Sequence, residues 1–182
     1  METDITLLEG AKDMKEDALI AIFDLYSSSL YNYALRLCHD PFAADNIVGD
    51  VFVKFLDKLA VGQGPDTNLR SYLYQMTYHL IIDEVRFYHH EVPLEDLELS
   101  PGNGSSSTSP VVLENRLLFD GLVLAIKSEL TEDQRHVIIL RFLEGFSLHE
   151  TSKIIGKPVY NVKVIQNRGI AKLRKVLGQK VR

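Results

Sequence analysis

Leu130–Leu177 reads LTEDQRHVIILRFLEGFSLHETSKIIGKPVYNVKVIQNRGIAKLRKVL, and it carries the densest local signals in the chain. Thr131 to Gln134 has the T-x-x-Q form of a capping box and precedes an apolar run that ends at Arg141-Phe142-Leu143. Ser147-Leu148-His149-Glu150 is a second box, in which the Ser hydroxyl caps the helix and the Glu reaches back. The short helix it opens is expected to stop at Gly156, which tolerates the left-handed backbone of a tight helix end. Lys157-Pro158 then opens a third helix, with Pro where its missing N–H does no harm. A short helix, a Gly-containing turn and a longer basic helix make a helix-turn-helix pattern.

In the third helix, Val162, Ile165, Gly169, Leu173 and Val176 recur at helical spacing as a buried stripe. Asn161, Lys163, Gln166, Asn167, Arg168, Lys172 and Arg174 fall largely off it. Such amides and long donors reach base edges and phosphates in a major groove. Taken alone, the charges fit a solvated helix face equally well.

The chain has 182 residues, 46% of them hydrophobic, enough for one domain or two small ones. No apolar run approaches the roughly 20 residues that span a bilayer, and the acidic start METDITLLEG is unlike a signal peptide. The single cysteine, Cys38, rules out an intramolecular disulfide and is expected to be a buried, inert thiol. These features predict a cytoplasmic protein without membrane insertion. The net charge of −5 hides a division. Residues 1–100 hold 7 basic and 18 acidic side chains, whereas residues 131–182 hold 11 and 4. A basic nucleic-acid module joined to an acidic module with another partner fits this polarity.

Residues 1–16 show no sustained periodicity and are expected to be a loose acidic tail. From Asp17 the spacing of Leu19, Phe23, Tyr26, Leu30, Tyr33 and Leu37 predicts a helix, broken at His39-Asp40-Pro41. A second helix is expected from about Phe42 to Leu59, with a core stripe of Ile47, Val48, Val51, Phe52, Phe55, Leu56 and Leu59. Its other face carries Asn46, Gly49, Asp50 and Asp57 around Val53, a composition that suits solvent or a basic partner. After the loop AVGQGPDTN (Ala60–Asn68), a third helix is expected to about Tyr88. It is apolar around most of its circumference, leaving a narrow stripe of Asn68, Ser71, Tyr72, Gln75, His79 and Arg86. Every bundle helix faces water somewhere. This stripe, however, has the amides, hydroxyl, aromatic ring and cation that stack on and bond to single-stranded bases.

Glu91–Pro110 is the expected domain boundary, an acidic half followed by the linker SPGNGSSSTSP. Extended, its 20 residues reach up to roughly 70 Å. From about Val111 to Leu130 another amphipathic helix leads into the opening stretch. The expected fold is all-α: a helical bundle over 17–90, a flexible linker over 91–110 and a helix-turn-helix module over 111–182. Phosphate-binding loops, dinucleotide turns, zinc-protease helices and nucleophile elbows are missing, so no enzyme and no cofactor is expected. His89 and His90 lack the spacing of a metal site.

With these segments in place, the chain resembles an extracytoplasmic-function (ECF) sigma factor of bacterial RNA polymerase. LYNYALRLCHDPFAADNIVGDVFVKFLDKL resembles the family's region 2, and the stretch from Leu130 to Lys175 resembles region 4. The resemblance implies that Asp45, Asn46, Asp50, Val53 and Asp57 meet core RNA polymerase. It implies that Asn68, Ser71, Tyr72, Gln75, His79 and Arg86 take unpaired bases of the −10 element of promoter DNA. Lys157, Tyr160, Asn161, Lys163, Gln166, Asn167 and Arg168 would read the duplex −35 element, and an anti-sigma factor would be a further partner. The chain departs from the pattern at Gly49, where Gln is usual, at Tyr72, where Trp is common, at Thr77-Tyr78-His79 in place of A-R-N, and at Glu150-Thr151-Ser152 in place of E-I-A. Two other readings remain at this point: a stand-alone helix-turn-helix regulator with an N-terminal sensing or dimerising module, and a pure interaction module without DNA affinity.

Overall fold

The computed structural model describes residues 2–91 and 124–180, and every regular element in them is a helix. The first module contains α1 (Glu2–Lys12), α2 (Glu16–Cys38), α3 (Pro41–Ala60) and α4 (Leu69–Glu91). The second contains α5 (124–129), α6 (Glu132–Ile138), α7 (Leu148–Ile155) and α8 (Val159–Lys180). The expected linker beyond residue 91 and the start of the helix expected from Val111 lie outside the described residues.

Residues 2–12 correct the expectation of a loose tail, because they form α1 and pack on α2. Leu8 and Ala11 are buried there, and Tyr26 Oη donates to Asp4 Oδ1 at 2.9 Å. Leu7, Leu8 and Ala11 span too short a stretch to register as a sustained periodic stripe. Tertiary packing supplies what a helix this short lacks on its own.

The break at residues 39–40 follows from local chemistry. His39 is left-handed and its N–H donates to Leu35 O at 2.9 Å, closing α2. Asp40 then caps α3 by accepting from Phe42 N at 2.8 Å, with Pro41 in the first turn. Ile22, Leu30, Tyr33, Val51, Phe55, Leu69 and Leu73 fill the core between α2, α3 and α4. At roughly 1.5–3 kcal/mol for each large side chain removed from water, such positions dominate the stability of the bundle. Phe23 and Leu56, expected inside, are exposed instead, and Phe52 is half-buried. With Leu19, Ile20 and Phe55 they line an open apolar groove between α2 and α3.

In the second module both boxes form. Gln134 Oε1 accepts from Thr131 N at 3.1 Å, and Glu150 Oε2 accepts from Ser147 N at 2.8 Å while Ser147 Oγ takes Glu150 N at 3.2 Å. The helix expected to run on to Leu143 does so, but its last turn, Ile139–Leu143, is π-helical. Gly156 has φ +66, the left-handed end that Gly tolerates best. A Cβ on Gly169 would sit 3.2 Å from Ile138 Cγ1, so this Gly brings α8 close against α6.

The sequence describes two arms on a flexible tether. In the structure the arms are packed together, with α7 against α4 and a buried apolar cluster continuous through both modules.

Candidate nucleic-acid and partner interfaces

On α8, Tyr160, Asn161, Lys163, Asn167 and Arg168 are exposed, Tyr160 to 76%. The buried Val162 and Leu173 fix which way the helix faces. Lys157 and Gln166 are placed differently from these five. Lys157 Nζ donates to Asp133 Oδ2 at 2.8 Å, a bond that raises its pKa and keeps it charged. Gln166 Oε1 accepts from Arg141 Nε at 2.9 Å, and the same guanidinium donates to Phe146 O. Both side chains tie α8 to the helices before it. The exposed five form one face of donors and amides of the kind that duplex DNA accepts.

The stripe on α4 is differently placed. Asn68 has φ +56, and its Oδ1 accepts from Ser71 N at 3.2 Å, capping the helix. Its side chain also reaches Glu150 of α7. The Glu150 carboxyl is held below its usual range first by the Ser147 hydroxyl and N–H and then by Asn68. Ser71 is buried. Tyr72 is half-buried, its ring 6.3 Å from that of Phe55, and burial raises its pKa. Gln75 is half-buried and His79 exposed, its ring against that of Tyr78. The Arg86 side chain, like those of His89 and His90, lies outside the described residues.

The third face is on α3, where Asp45, Asn46, Asp50, Val53 and Asp57 are all exposed, Val53 to 58%. The apolar groove lined by Phe52 and Leu56 flanks this acidic face. Cys38 is half-buried and its thiol is pushed up to about 11, chiefly by burial, in keeping with an inert thiol.

Between the modules lies a polar cluster that sequence reasoning missed. Glu144, with its side chain 8% exposed, accepts from Arg36 Nη1 at 2.8 Å and from Tyr74 Oη at 2.6 Å. Arg70 donates to the Glu144 backbone O, and its guanidinium lies 4.1 Å from the centre of the Phe146 ring. Tyr33 Oη and His136 Nδ1 share a hydrogen bond of 2.7 Å, with the Tyr78 ring edge-on to the imidazole. Removing one partner from such a cluster strands a buried polar group, at on the order of 1–3 kcal/mol. Burial, then Arg135, holds the His136 imidazole neutral with a pKa of about 3, Asp133 opposing. Burial, Lys127 and Arg135 lower His39 to about 4. Arg36 and Glu144 are 108 positions apart, so no local pattern joins them.

Comparisons with known proteins agree with this layout. The sigma-70 region 2 family model matches residues 22–89, and the sigma-70 region 4 model matches residues 128–175. The ECF RNA polymerase sigma factor SigX of Bacillus subtilis is 25% identical over 88% of this chain and 84% of its own length. SigW of the same organism is 26% identical over 93% of this chain and 94% of its own. In fold, the chain resembles CnrH in its complex with the cytosolic domain of CnrY, with a TM-score of 0.71, 21% identity and 97% and 98% of the two chains covered. It also resembles the sigma factor RpoE bound to the anti-sigma factor NepR from Bartonella quintana, with a TM-score of 0.68, 22% identity and 92% and 98% covered. The region 2 match fills the place where a stand-alone regulator would have its sensing module. With regions 2 and 4 matched in order on an all-helical, two-module chain, this protein belongs to the sigma-70 family as an ECF-class sigma factor.

Proposed function

We propose that the chain holds core RNA polymerase through the acidic face of α3, grips a duplex −35 element through α8, and traps unpaired −10 bases along α4. The observation that carries this reading is the opposition of two exposed faces in one chain. Asp45, Asp50 and Asp57 surround Val53 on α3, whereas Lys163 and Arg168 share α8 with Asn161 and Asn167. The first face suits a basic protein surface with an apolar centre. The second suits phosphate and base edges. The work is binding rather than bond chemistry: capturing flipped bases offsets the cost of unstacking them. An anti-sigma factor is the further partner we propose, supported by the folds of CnrH and RpoE, which are seen with CnrY and NepR.

A pull-down against sigma-free core polymerase tests the first contact. Asp50→Lys is expected to weaken capture by about tenfold, which corresponds to roughly 1.4 kcal/mol. Duplex binding by α8 should stay unchanged. Undiminished capture by Asp50→Lys contradicts the assignment of this face.

A further inference from the structure

We infer that Arg141 is a positioning residue for duplex recognition: its guanidinium braces Gln166 of α8 against the turn before α7 and so sets the rotation of the reading face. This rests on the assignment of α8 to duplex DNA made above, and it takes Gln166 out of the set that reads bases.

Arg141 lies in the π-helical turn Ile139–Leu143, where Glu144 N donates to Ile139 O at 3.0 Å. Bonding from residue i to i+5 sets that turn out of phase with α6 before it, and such turns are frequent at functional sites. From there Arg141 Nε donates to Gln166 Oε1 at 2.9 Å and Nη1 donates to Phe146 O. One planar group thus joins the π-helical turn, the turn before α7 and the middle of α8. The Phe146 carbonyl is a firm anchor, because its ring is 1% exposed and meets that of Tyr74 edge-on, with the centroids 4.8 Å apart.

What the brace adds to packing is direction. Val162 and Leu173 are buried and Gly169 abuts Ile138, which decides the side of α8 that turns inward. Apolar burial is non-directional, whereas a fixed fork of N–H donors is not. At a side-chain radius of roughly 5–6 Å, turning a helix by about 10° moves a side-chain tip by about 1 Å. A binding face has to be held within about 0.5 Å and 10–20° of its working geometry. Lys163, Asn167 and Arg168 all lie within three positions of Gln166, so its anchorage places them. Gln166 itself is half-buried. A glutamine reads adenine with its carbonyl O and its NH2 together, and in Gln166 that O is turned to Arg141. Lysine at position 141 would keep the charge and lose the fork.

Fluorescence anisotropy of the full chain on three kinds of duplex tests the brace: one selected from a randomised pool by the unaltered chain, its single-base-pair variants, and a scrambled duplex. Arg141→Lys and Gln166→Leu should each weaken binding to the selected duplex by about fivefold, the worth of one hydrogen bond. The double variant should bind no more weakly than either, since both changes remove the same interaction. Affinity for the scrambled duplex, and the slope of log K against log salt, should not change, because no phosphate contact is lost. Equal losses on the selected and scrambled duplexes overturn the brace, since that is damage to the module as a whole. Full affinity in Arg141→Lys overturns it by making Arg141 a plain charge. Additive losses in the double variant, or a loss in Gln166→Leu confined to one base pair, overturn it as well. If the unaltered chain selects no duplex, the reading of α8 falls and the brace with it; selection by the unaltered chain with unchanged variants overturns the brace alone.

Discussion

The two helices proposed to face DNA are built from similar side chains and are presented in opposite ways. On α8 the readers project from a module whose own contacts, Lys157 to Asp133 and Gln166 to Arg141, orient the helix without using the exposed face. On α4 the first reader caps its own helix, the second is buried, and the third leans on Phe55. The difference is physical. A duplex offers its groove to a rigid preformed face, whereas single-stranded bases exist only after the duplex has opened.

The comparison breaks most readily at α8. Lys163→Glu with Arg168→Glu should lower duplex affinity by about 1–3 kcal/mol per residue and reduce the slope of log K against log salt by about 1 for each charge removed. Fluorescence anisotropy of a labelled duplex over a salt series measures both. An unchanged slope would place the duplex elsewhere on the molecule.

Acid tests the other side, at the contact between the modules. With the modules packed together His136 and His39 are neutral, with pKa values near 3 and 4 because of burial and of Arg135 and Lys127, while Asp133 pulls His136 the other way. With the modules apart each would return toward 6.5. Protonation therefore favours separation. The contact keeps its full stability above about pH 6.5 and loses it progressively as the pH falls toward these lower values. Energy transfer between dyes on the two modules should report separation as the pH drops from about 7 to about 4.5. His136→Asn, which retains a partner for Tyr33, should blunt the change. A distance that stays flat over this range contradicts the role given to the two histidines.

The smallest effect separates fold from function on α3. Beyond its chain neighbours and its own helix backbone, nothing lies within 4 Å of a Cβ built on Gly49, so Gly49→Ala meets no obstacle. It should stabilise the first module by about 0.5–1 kcal/mol through helix propensity alone. Thermal melts check it, and a loss of stability would show that the backbone there needs its Gly.

The parts of this molecule set by near neighbours in sequence were legible before the structure. Both capping boxes, the turn at Gly156, the break at Asp40-Pro41 and the bounds of α2, α3 and α4 all depend on residues within four positions of one another. The exposed donors of α8 and acids of α3 were legible for the same reason, since a helix face is a local pattern. Lys157 and Gln166 shared that pattern, but what they touch depends on Asp133 and Arg141, some 24 and 25 positions away. The polar cluster between the modules was wholly illegible. Tyr33 falls within the apolar spacing of α2, and nothing near Glu144 in sequence marks it as the acceptor for both Arg36 and Tyr74. Helix α1 escaped because its hold on the bundle is tertiary, through Leu8, Ala11 and the Asp4–Tyr26 bond.

Run-off transcription with sigma-free core polymerase, on a library of fragments from the source genome, tests the central claim most directly. The account predicts discrete starts preceded by a shared pair of elements, lost when Lys163 and Arg168 are reversed and reduced when Asp50 is. Firm binding to core polymerase with no start from any fragment would contradict it.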